Sequence, residues 1–374
     1  MKTRDIVIVG AGVIGLSIAW HLAREGATVT VIDKGPVGRG SSWAAAGMLA
    51  PFAEAKERDA FYQLTIAALR AYPAFVSALQ EQTGLETELS RVGLLRVALD
   101  EDGEKALRAT FSRQCGDGLP VHWLAGEEVR KLEPGLSPGI RAAILSPEEW
   151  HIEPRKLTRA LAVACAERGV EILEETPVEG FRSATGRVTA VCAAGKEVST
   201  GQVILASGCW SGGVGQSLGV TLPVSPVRGQ ILALGPCLPS PVRHTIYADH
   251  GYLVPKADGR VVVGATQEDA GFDCRPTCAG IGGLLAMAPK LAPKLADMPI
   301  ESMWVGLRPA SRDGLPIMGR LARFENVYAA TGHFRNGILL APITGDLMTK
   351  LILHNEPSPL LDSFRPDRFE KGAN

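Results

Sequence analysis

The sequence predicts an α/β fold in which a second, α+β domain is inserted into a nucleotide-binding domain. Three observations support this fold class. A strand, a glycine-rich turn, a helix and a second strand follow one another within residues 5–33. Apolar, strand-like segments that end in glycine recur at 196–208 and 327–332. Between them, residues 227–234 and 251–267 have the pattern and turn signals of a sheet.

The N-terminal segment predicts one complete βαβ unit. Residues 5–10 are a β-branched run, typical of a strand that is buried on both faces. A glycine-rich turn follows, and a helical pattern then continues to a stop at Gly26. Residues 27–32 predict the second strand, which Asp33 closes. Two strands joined by a helix in this way open a parallel sheet.

The remaining pattern predicts further elements and a discontinuous division into domains. We predict helices at 59–82, 101–114, 155–168, 281–296 and near 343–354, strands at 93–99, 170–173, 186–192 and 196–205, and a loop leading to a helix start at 38–47. Nucleotide-type elements occur at the start, in the middle and at the end, so the nucleotide-binding domain is assigned residues 1–85, 150–222 and 305–374. The inserted domain, built on a large antiparallel sheet, comprises residues 86–149 and 223–304.

The composition is that of an ordinary soluble globular protein. Of the 374 residues, 46% are hydrophobic and 21% are charged, which excludes a disordered chain, a coiled coil and a collagen-like fibre. The 39 basic and 40 acidic residues nearly cancel, so we expect neither nucleic acid nor a membrane as a partner. Seven scattered cysteines disfavour a disulfide framework. Asp5 interrupts the N-terminal apolar run, and no stretch reaches the roughly 20 apolar residues of a membrane span, so we expect a cytoplasmic protein.

Residues 10–15 carry the Gly-x-Gly-x-x-Gly spacing of a dinucleotide-binding turn. Gly10 permits the tight turn, Gly12 allows backbone N–H groups to approach a pyrophosphate, and Gly15 allows close packing of helix against strand. The helix N-terminus adds partial positive charge beside the phosphates. Asp33, at the end of the next strand, is placed to accept hydrogen bonds from ribose hydroxyls. Because strand, helix and acid all accompany the glycines, the sequence predicts a bound dinucleotide.

Two later segments favour FAD over NAD as this dinucleotide. The apolar strand before Ala206, Ser207 and Gly208 ends in small residues, where a second part of the chain can approach a bound cofactor. Gly332–Ile338 lies between a strand and a helix. A helix N-terminus there would stabilise negative charge at the N1–C2=O edge of a flavin. A nicotinamide dehydrogenase usually needs no third nucleotide-contacting segment at its C-terminus.

Seven blocks, spread in order over nearly the whole chain, carry a family resemblance. The blocks are Val9–Gly15, Ser41–Leu49, Glu57–Phe61, His250–Pro255, Val263–Thr266, Gly306–Pro309 and Gly332–Pro342. Through them the sequence resembles the D-amino acid oxidase family of flavoenzymes, and most closely its glycine oxidases of thiamine biosynthesis. The blocks around Ala46-Gly47-Met48 and Gly332–Gly337 are specific to that family rather than general to dinucleotide folds.

The resemblance implies a Rossmann-like FAD-binding domain of the glutathione-reductase type, non-covalently bound FAD and a homotetramer. It implies oxidation of glycine and similar small amines, with the α-carbon hydrogen passing to flavin N5 as a hydride. The imino acid is then hydrolysed to glyoxylate and ammonia, and dioxygen reoxidises the flavin to give hydrogen peroxide. Monomeric sarcosine oxidases attach their flavin through a cysteine at about the position of Gly306, and no cysteine lies nearby here.

The resemblance also assigns the candidate site residues. Arg308 and Tyr252 would bind the substrate carboxylate and Arg335 would lie near substrate and flavin, and these three are the candidate catalytic residues. The candidate substrate-binding residues are Arg308, Tyr252, Arg335, Met48, His250 and Gln267. The residues expected to contact FAD are Gly10, Gly12, Val13, Ile14, Gly15, Asp33, Lys34, Ser41, Ser42, Ala46, Gly47, Met48, Val178, Ser207, Gly208, His333, Phe334, Arg335, Asn336, Gly337, Ile338 and Leu339.

The chemistry of these residue types suits such a site. Arginine binds a carboxylate through two parallel, charge-assisted hydrogen bonds, and tyrosine can donate a third. If His250 and Tyr252 share a strand, they share a face, and His250 would help to deprotonate the substrate ammonium. Gln267 stands where related glycine oxidases have methionine, and its amide suits a larger or more polar substrate. Cys274 and Cys278 lack the further ligands that a metal site needs, so we predict no metal.

Alternatives to an amino acid oxidase remain open at the level of sequence. A flavin dehydrogenase would pass electrons to a quinone or a carrier protein instead of dioxygen, and a related enzyme would act on a larger N-substituted glycine. An RNA-modifying flavoprotein needs a basic surface, which a net charge of −1 argues against. Glycine, sarcosine, N-ethylglycine, D-alanine and D-proline all present a carboxylate and an amine, so the preferred substrate stays open.

Overall fold

The computed structural model describes residues 5–54 and 57–369 as a mixed α/β protein with two large sheets. The strands are β1 (Asp5–Val9), β2 (Thr28–Ile32), β3 (Met48–Leu49), β4 (Leu94–Ala98), β5 (His122–Ala125), β6 (Ala142–Ser146), β7 (Trp150–His151), β8 (Glu171–Leu173), β9 (Val178–Ala184), β10 (Arg187–Ala193), β11 (Lys196–Ser199), β12 (Gln202–Leu205), β13 (Val224–Leu234), β14 (Thr245–Ala248), β15 (Gly251–Pro255), β16 (Val261–Gly264), β17 (Ile300–Ser311), β18 (Ile317–Arg320) and β19 (Val327–Thr331). The α-helices are α1 (Val13–Arg24), α2 (Ser41–Ala44), α3 (Pro51–Glu54), α4 (Ala60–Thr83), α5 (Glu101–Gly116), α6 (Gly126–Leu132), α7 (Pro154–Glu167), α8 (Ser211–Ser217), α9 (Cys278–Leu291) and α10 (Gly337–His354). Short 3₁₀ helices occupy Gly208–Trp210, Pro293–Asp297, Pro359–Phe364 and Pro366–Phe369.

The first large sheet has six strands in the order β18-β19-β12-β1-β2-β8. All neighbouring strands run parallel except β18 and β19, and the predicted βαβ opening is confirmed. Both faces are covered. Ile6 and Ile8 pack against α1, α7 and α10 on one face, while Val7 and Val9 pack against β10 on the other. This two-sided burial explains why β1 reads as a continuous apolar run.

The second large sheet has eight strands in the order β17-β13-β16-β15-β14-β4-β6-β5. Its neighbouring strands are antiparallel except β14 and β4, which run parallel. Helix α9 covers one face, where Ile281 and Leu284 meet Leu232 and Leu253. β17 pairs with β13 along its whole length and continues past residue 304, at which the predicted inserted domain ends. The division of the chain into domains stays a prediction.

Several elements differ from the predicted pattern. The predicted strand 196–205 is two strands, β11 and β12, because Thr200 and Gly201 interrupt it. β11 belongs to a small antiparallel sheet with β9 and β10, whereas β12 belongs to the six-stranded sheet. The predicted loop at 38–47 contains the short helix α2. The sequence pattern does not mark β5, which is a partly exposed strand at the edge of its sheet and lacks alternation.

Helix α10 begins at Gly337, six residues before the predicted start, and contains Pro342. Proline has no N–H group, so the carbonyl of Ile338, four residues earlier, lacks its helical donor. The hydroxyl of Tyr72, on α4, donates a hydrogen bond to that carbonyl. A tertiary contact therefore replaces the missing helical bond and lets the helix start before the proline.

Helix α10 is also the one helix in the described part of the chain that is long and apolar enough to cross a membrane. However, 61% of its 18-residue window is buried inside the protein, and it packs against α1 and α4. A buried core helix passes the same test of length and composition.

Tyr72→Phe tests the contact that supports α10. The substitution removes the hydroxyl and keeps the buried ring. We expect the free energy of unfolding to fall by about 1–3 kcal/mol, because a buried carbonyl loses a hydrogen-bond donor. Denaturant unfolding measures this change. Tyr62→Phe, on the same helix but partly exposed, is the matched control and should cost less than about 0.5 kcal/mol. Equal losses in the two variants would contradict the role given to Tyr72.

Candidate active site

A cavity of about 800 Å³ lies where the two large sheets meet. Part of its wall comes from the carboxyl ends of β1, β2, β12 and β19 in the six-stranded sheet. The rest includes residues of β13, β14, β15 and β17 in the eight-stranded sheet. Open α/β sheets bind their ligands outside the carboxyl ends of the strands. The cavity therefore occupies the position expected of a cofactor site.

The glycine turn after β1 brings bare backbone to the cavity. Gly10 has a φ of +116°, and a Cβ atom there would lie 2.4 Å from the carbonyl oxygen of Ala206. A Cβ atom on Gly15 would lie 1.9 Å from the Gly10 carbonyl oxygen, so this glycine packs α1 against the turn. Gly12, at the start of α1, supplies no capping side chain. The Val13 N–H donates to the Ser42 hydroxyl at 2.9 Å, and the helix N-terminus contributes partial positive charge beside the cavity, which suits a phosphate.

Asp33 is fixed at the end of β2 by backbone donors. Its two carboxylate oxygens accept hydrogen bonds from the N–H groups of Ala11, at 2.7 Å, and Gly35, at 2.9 Å. Each oxygen retains capacity to accept a further bond, as a ribose contact requires. The Lys34 ammonium lies 3.6 Å from the centre of the Trp210 ring, in a cation–π contact. Trp210 also lines the cavity, although no sequence motif marks it.

A buried lysine holds the segment Ala46–Met48. Lys256 Nζ donates to the carbonyls of Ala46, at 2.8 Å, and Ile152, at 3.1 Å, and lies 3.3 Å from Glu153 Oε2. Burial lowers the pKa of Lys256, and the Glu153 carboxylate opposes this effect. A Cβ atom on Gly47 would lie 2.0 Å from the Ile152 carbonyl oxygen. The segment is therefore anchored from behind, and its position cannot be read from local sequence because Lys256 is far away in the chain.

Arg308, on β17, and Tyr252, on β15, meet in the cavity. Arg308 Nη1 donates to the carbonyls of Thr266, at 3.0 Å, and Arg228, at 3.4 Å. Burial lowers the pKa of the Arg308 guanidinium, while the nearby Tyr252 opposes this shift. Burial raises the pKa of Tyr252 to about 12. The Tyr252 phenol therefore stays protonated at neutral pH. A bound carboxylate would give the Arg308 guanidinium hydrogen bonds in place of those to water that burial removes.

Arg335 forms an ion pair with Glu54, a residue that no sequence motif marks. Arg335 Nη2 lies 2.7 Å from Glu54 Oε2, and the Glu54 side chain is only 10% exposed. Burial raises the pKa of Glu54, and Arg335 opposes this effect. The start of α3, which carries Glu54, is held by the buried Glu149 carboxylate, which accepts from the N–H groups of Phe52 at 2.7 Å and Ala53 at 2.9 Å. Burial raises the pKa of Glu149 to about 7.

The cavity brings together most of the residues that the sequence predicts for the site. Its wall includes Gly10, Gly12, Val13, Ile14, Asp33, Lys34, Ser41, Ser42, Ala46, Gly47, Met48, Val178, Ser207, Gly208, His250, Tyr252, Gln267, Arg308, His333, Phe334, Arg335, Asn336, Gly337 and Ile338. Two predicted residues are not on the wall. Gly15 packs behind the turn, and Leu339 is buried in the core beside α1.

Both candidate histidines lie on the cavity wall, in different surroundings. β15 begins at Gly251, so His250 lies in the preceding turn, exposed on the cavity wall. His250 and Tyr252 therefore do not share a strand, but both line the cavity wall, and a part for His250 in deprotonating the substrate stays a prediction. His333 is buried, with Nε2 3.2 Å from Thr344 Oγ1. Burial lowers the pKa of His333 to about 3, so its ring stays neutral at neutral pH.

The wall fits a non-covalent FAD. The backbone turn suits the pyrophosphate, Asp33 suits a ribose, and Gly10 and Gly47 line the wall at positions that have no room for a side chain. None of the described cysteines lies on the wall, so no thiol is placed to attach a flavin. Within residues 5–54 and 57–369, no three His, Cys, Asp or Glu side chains are grouped so as to hold a metal ion.

Comparisons with known proteins point to one family. The model of the DAO family, described as FAD dependent oxidoreductase, matches residues 5–351. The glycine oxidase of Bacillus licheniformis is 36% identical over 370 residues, which are 99% of this chain and 98% of that protein. The bifunctional protein ThiO/ThiG of Nostoc sp. (strain PCC 7120 / SAG 25.82 / UTEX 2576) is 38% identical over 376 residues, covering 100% of this chain and 56% of that longer protein. The crystal structure of glycine oxidase from Geobacillus kaustophilus matches with a TM-score of 0.93 at 32% identity, covering 98% of this chain and 99% of that one.

Proposed function

The chain belongs to the DAO family of FAD-dependent oxidoreductases and is an FAD-dependent amine oxidase, and from this premise we propose that it oxidises glycine and other small amino acids. The products are the 2-oxo acid, ammonia or an amine, and hydrogen peroxide. The observation that carries the proposal is the single cavity in which Arg308 and Tyr252 face the same space as the dinucleotide-binding turn. A site of this kind joins a carboxylate-binding group to a redox cofactor.

Arg308 and Tyr252 bind the substrate carboxylate in this proposal. Arg308 Nη1 is already engaged by two carbonyls, which fix the plane of the guanidinium. Its remaining N–H groups and the protonated Tyr252 hydroxyl then offer donors to the two carboxylate oxygens. Holding a small substrate by its carboxylate orients its α-carbon, and orientation is the main contribution required of the protein.

The chemistry that FAD supplies when bound is acceptance of a hydride and transfer of electrons to dioxygen. The glycine turn, Asp33 and the segment Ala46–Met48 would hold it. Tyr252 does not remove the substrate proton, because its pKa of about 12 keeps it protonated. The Glu54 carboxylate neutralises Arg335 in the same cavity, so that guanidinium is not available to a second substrate carboxylate, and a substrate with one carboxylate is favoured.

Anaerobic mixing with glycine tests the proposal. We expect the visible absorption of the bound flavin to bleach without oxygen and to return in air with one equivalent of hydrogen peroxide. Bleaching without reoxidation in air would instead indicate a dehydrogenase with another acceptor. Absence of bleaching with glycine, sarcosine and D-alanine would reject the proposed substrate class and leave a larger N-substituted glycine, for which Gln267 offers an amide on the cavity wall.

Glu54→Gln tests the proposed role of the ion pair in substrate choice. The substitution removes the charge that neutralises Arg335 and frees that guanidinium for a second carboxylate. We expect the ratio of kcat/KM for iminodiacetate to kcat/KM for glycine to rise about tenfold. Glu88→Gln is the matched control, because Glu88 pairs with Lys156 away from the cavity wall. An unchanged ratio in Glu54→Gln would remove the ion pair from substrate selection.

Three further properties are proposed from the family resemblance. The product enters the synthesis of the thiamine thiazole, the protein is cytoplasmic, and four copies form a homotetramer. Light scattering on the purified protein tests the last point, since each chain has a mass of 39.6 kDa. A mass near that of one or two chains would reject the tetramer.

A further inference from the structure

Two backbone carbonyls outside its own strand orient the guanidinium of Arg308. They belong to Thr266 and Arg228, at 3.0 Å and 3.4 Å from Nη1. Arg228 is on β13, the neighbour of β17, and Thr266 follows the end of β16. The direction of the guanidinium therefore depends on how these two segments are joined to each other.

Glu268 joins the two segments through both its backbone and its side chain. The Arg228 N–H donates to the Glu268 carbonyl at 2.9 Å, and the Glu268 N–H donates to the Arg228 carbonyl at 3.0 Å. The Glu268 carboxylate accepts hydrogen bonds from Arg228 Nε at 3.1 Å, from Gln230 Nε2 at 2.8 Å, and from Arg228 Nη2 and the Thr266 hydroxyl. The Arg228 carbonyl thus accepts hydrogen bonds from both Arg308 Nη1 and the Glu268 N–H.

The network extends into the core on the side away from the cavity. Gln230 is fully buried, and its amide accepts from the Thr277 N–H at 2.8 Å and donates to the Thr277 hydroxyl at 2.9 Å, at the start of α9. Burial raises the pKa of Glu268, but the hydrogen bonds from Thr266, Arg228 and Gln230 outweigh it and bring the pKa below its ordinary value. The carboxylate is therefore ionised at neutral pH. Neither Glu268, Arg228 nor Gln230 lines the cavity.

We propose that Glu268 is a positioning residue for substrate binding. Its hydrogen bonds hold the Thr266 and Arg228 carbonyls in place relative to each other, and these carbonyls orient the Arg308 guanidinium toward the substrate carboxylate. Glu268 also holds the adjacent Gln267 in its position on the cavity wall. The proposal rests on the proposed role of Arg308, and it assigns to Glu268 an effect on affinity for carboxylates rather than on the chemical step.

Glu268→Gln in the FAD-bound enzyme tests this role with two measurements. The first is the KM and kcat for glycine. The second is the dissociation constant of acetate, a carboxylate without an amine, measured from the change it causes in the visible absorption of the flavin. We expect both KM and the acetate dissociation constant to rise about tenfold, which corresponds to about 1.4 kcal/mol, with kcat within about threefold of wild type.

Asp273→Asn is the matched control. Asp273 also approaches Arg228, at 3.7 Å, but its oxygens are bonded to Arg275 rather than to the Thr266 segment. We expect both constants to stay within about twofold of wild type in this variant. A Glu268→Asp variant, which keeps the charge, should recover part of the lost affinity.

Each outcome decides for or against the proposal. Unchanged KM and unchanged acetate binding in Glu268→Gln would overturn it, as would a loss confined to kcat. If Glu268→Gln fails to fold or to retain FAD, Thr266→Val removes the hydroxyl that bridges Glu268 and the Gln230 N–H, and it must raise both constants about threefold. If the wild type binds acetate but oxidises no amino acid, the proposed function fails while the acetate comparison still tests Glu268.

Discussion

Arg308→Ala is expected to lower kcat/KM for glycine by about 100-fold to 1,000-fold while the protein keeps its FAD. Removing one partner of a buried, hydrogen-bonded charge pair typically costs 2–5 kcal/mol, and each 1.4 kcal/mol is tenfold. The loss should lie mainly in KM, because the role proposed for Arg308 is to bind the carboxylate rather than the reacting α-carbon. Steady-state kinetics with glycine and the flavin content of the purified protein measure the two quantities.

Two variants control this prediction. Arg312→Ala removes an exposed arginine just beyond the end of β17 and should leave kcat/KM within about twofold. Arg308→Lys keeps the charge but loses the fork that binds two oxygens, so it should fall between wild type and alanine. Loss of FAD from Arg308→Ala with KM unchanged would place Arg308 on the cofactor and contradict its role in substrate binding.

Gly229→Ala is expected to lower kcat/KM for glycine by about 30-fold to 100-fold without removing any polar group of the site. A Cβ atom at this position would lie 2.4 Å from Arg308 Nη1 and 2.6 Å from Cζ. The obstructed atoms are the end of a flexible side chain, so the fold accommodates the methyl group by displacing the guanidinium. The same kinetic assay measures the loss, and a small misplacement of a positioning group is sufficient to cause it.

A double variant separates this displacement from general damage. If Gly229→Ala acts through Arg308, adding it to Arg308→Ala should cause no further loss, because neighbouring sites that share one effect do not add. Gly213→Ala is the matched control, since a Cβ atom there meets nothing within 4 Å. Additive losses in the double variant would show that Gly229 matters for a reason other than Arg308.

The nucleotide-binding part of the site could be predicted from sequence because its requirements are local. Gly10 and Gly15 are needed because a Cβ atom at either position would collide with a neighbouring carbonyl, and such a requirement is visible in the sequence as a glycine. Asp33 follows its strand by one residue, and the parallel pairing of β1 with β2 then brings it beside the glycine turn. No local sequence pattern identifies Arg308 and Tyr252 as site residues, and only the family resemblance predicted them.

The residues that the sequence did not reveal act through partners far along the chain. Glu54 meets Arg335, and Lys256 meets the Ala46 carbonyl, through folding rather than through spacing. The start of α10 was missed for the same reason. Pro342 ends a helix by local rules, and the Tyr72 hydroxyl that overrides those rules comes from another helix.

The continuity of β17 has a consequence for recombination between relatives. A chimera that exchanged residues 223–304 would place its junction inside β17, within the stretch that pairs with β13 and shortly before Arg308. The host half of the strand would then have to match the register of a foreign β13. A junction beyond Ser311 keeps both strands and Arg308 from one parent. Arg308, the residue proposed to bind the carboxylate, therefore belongs with the eight-stranded sheet, and a chimera that transplants this sheet whole would carry its own arginine.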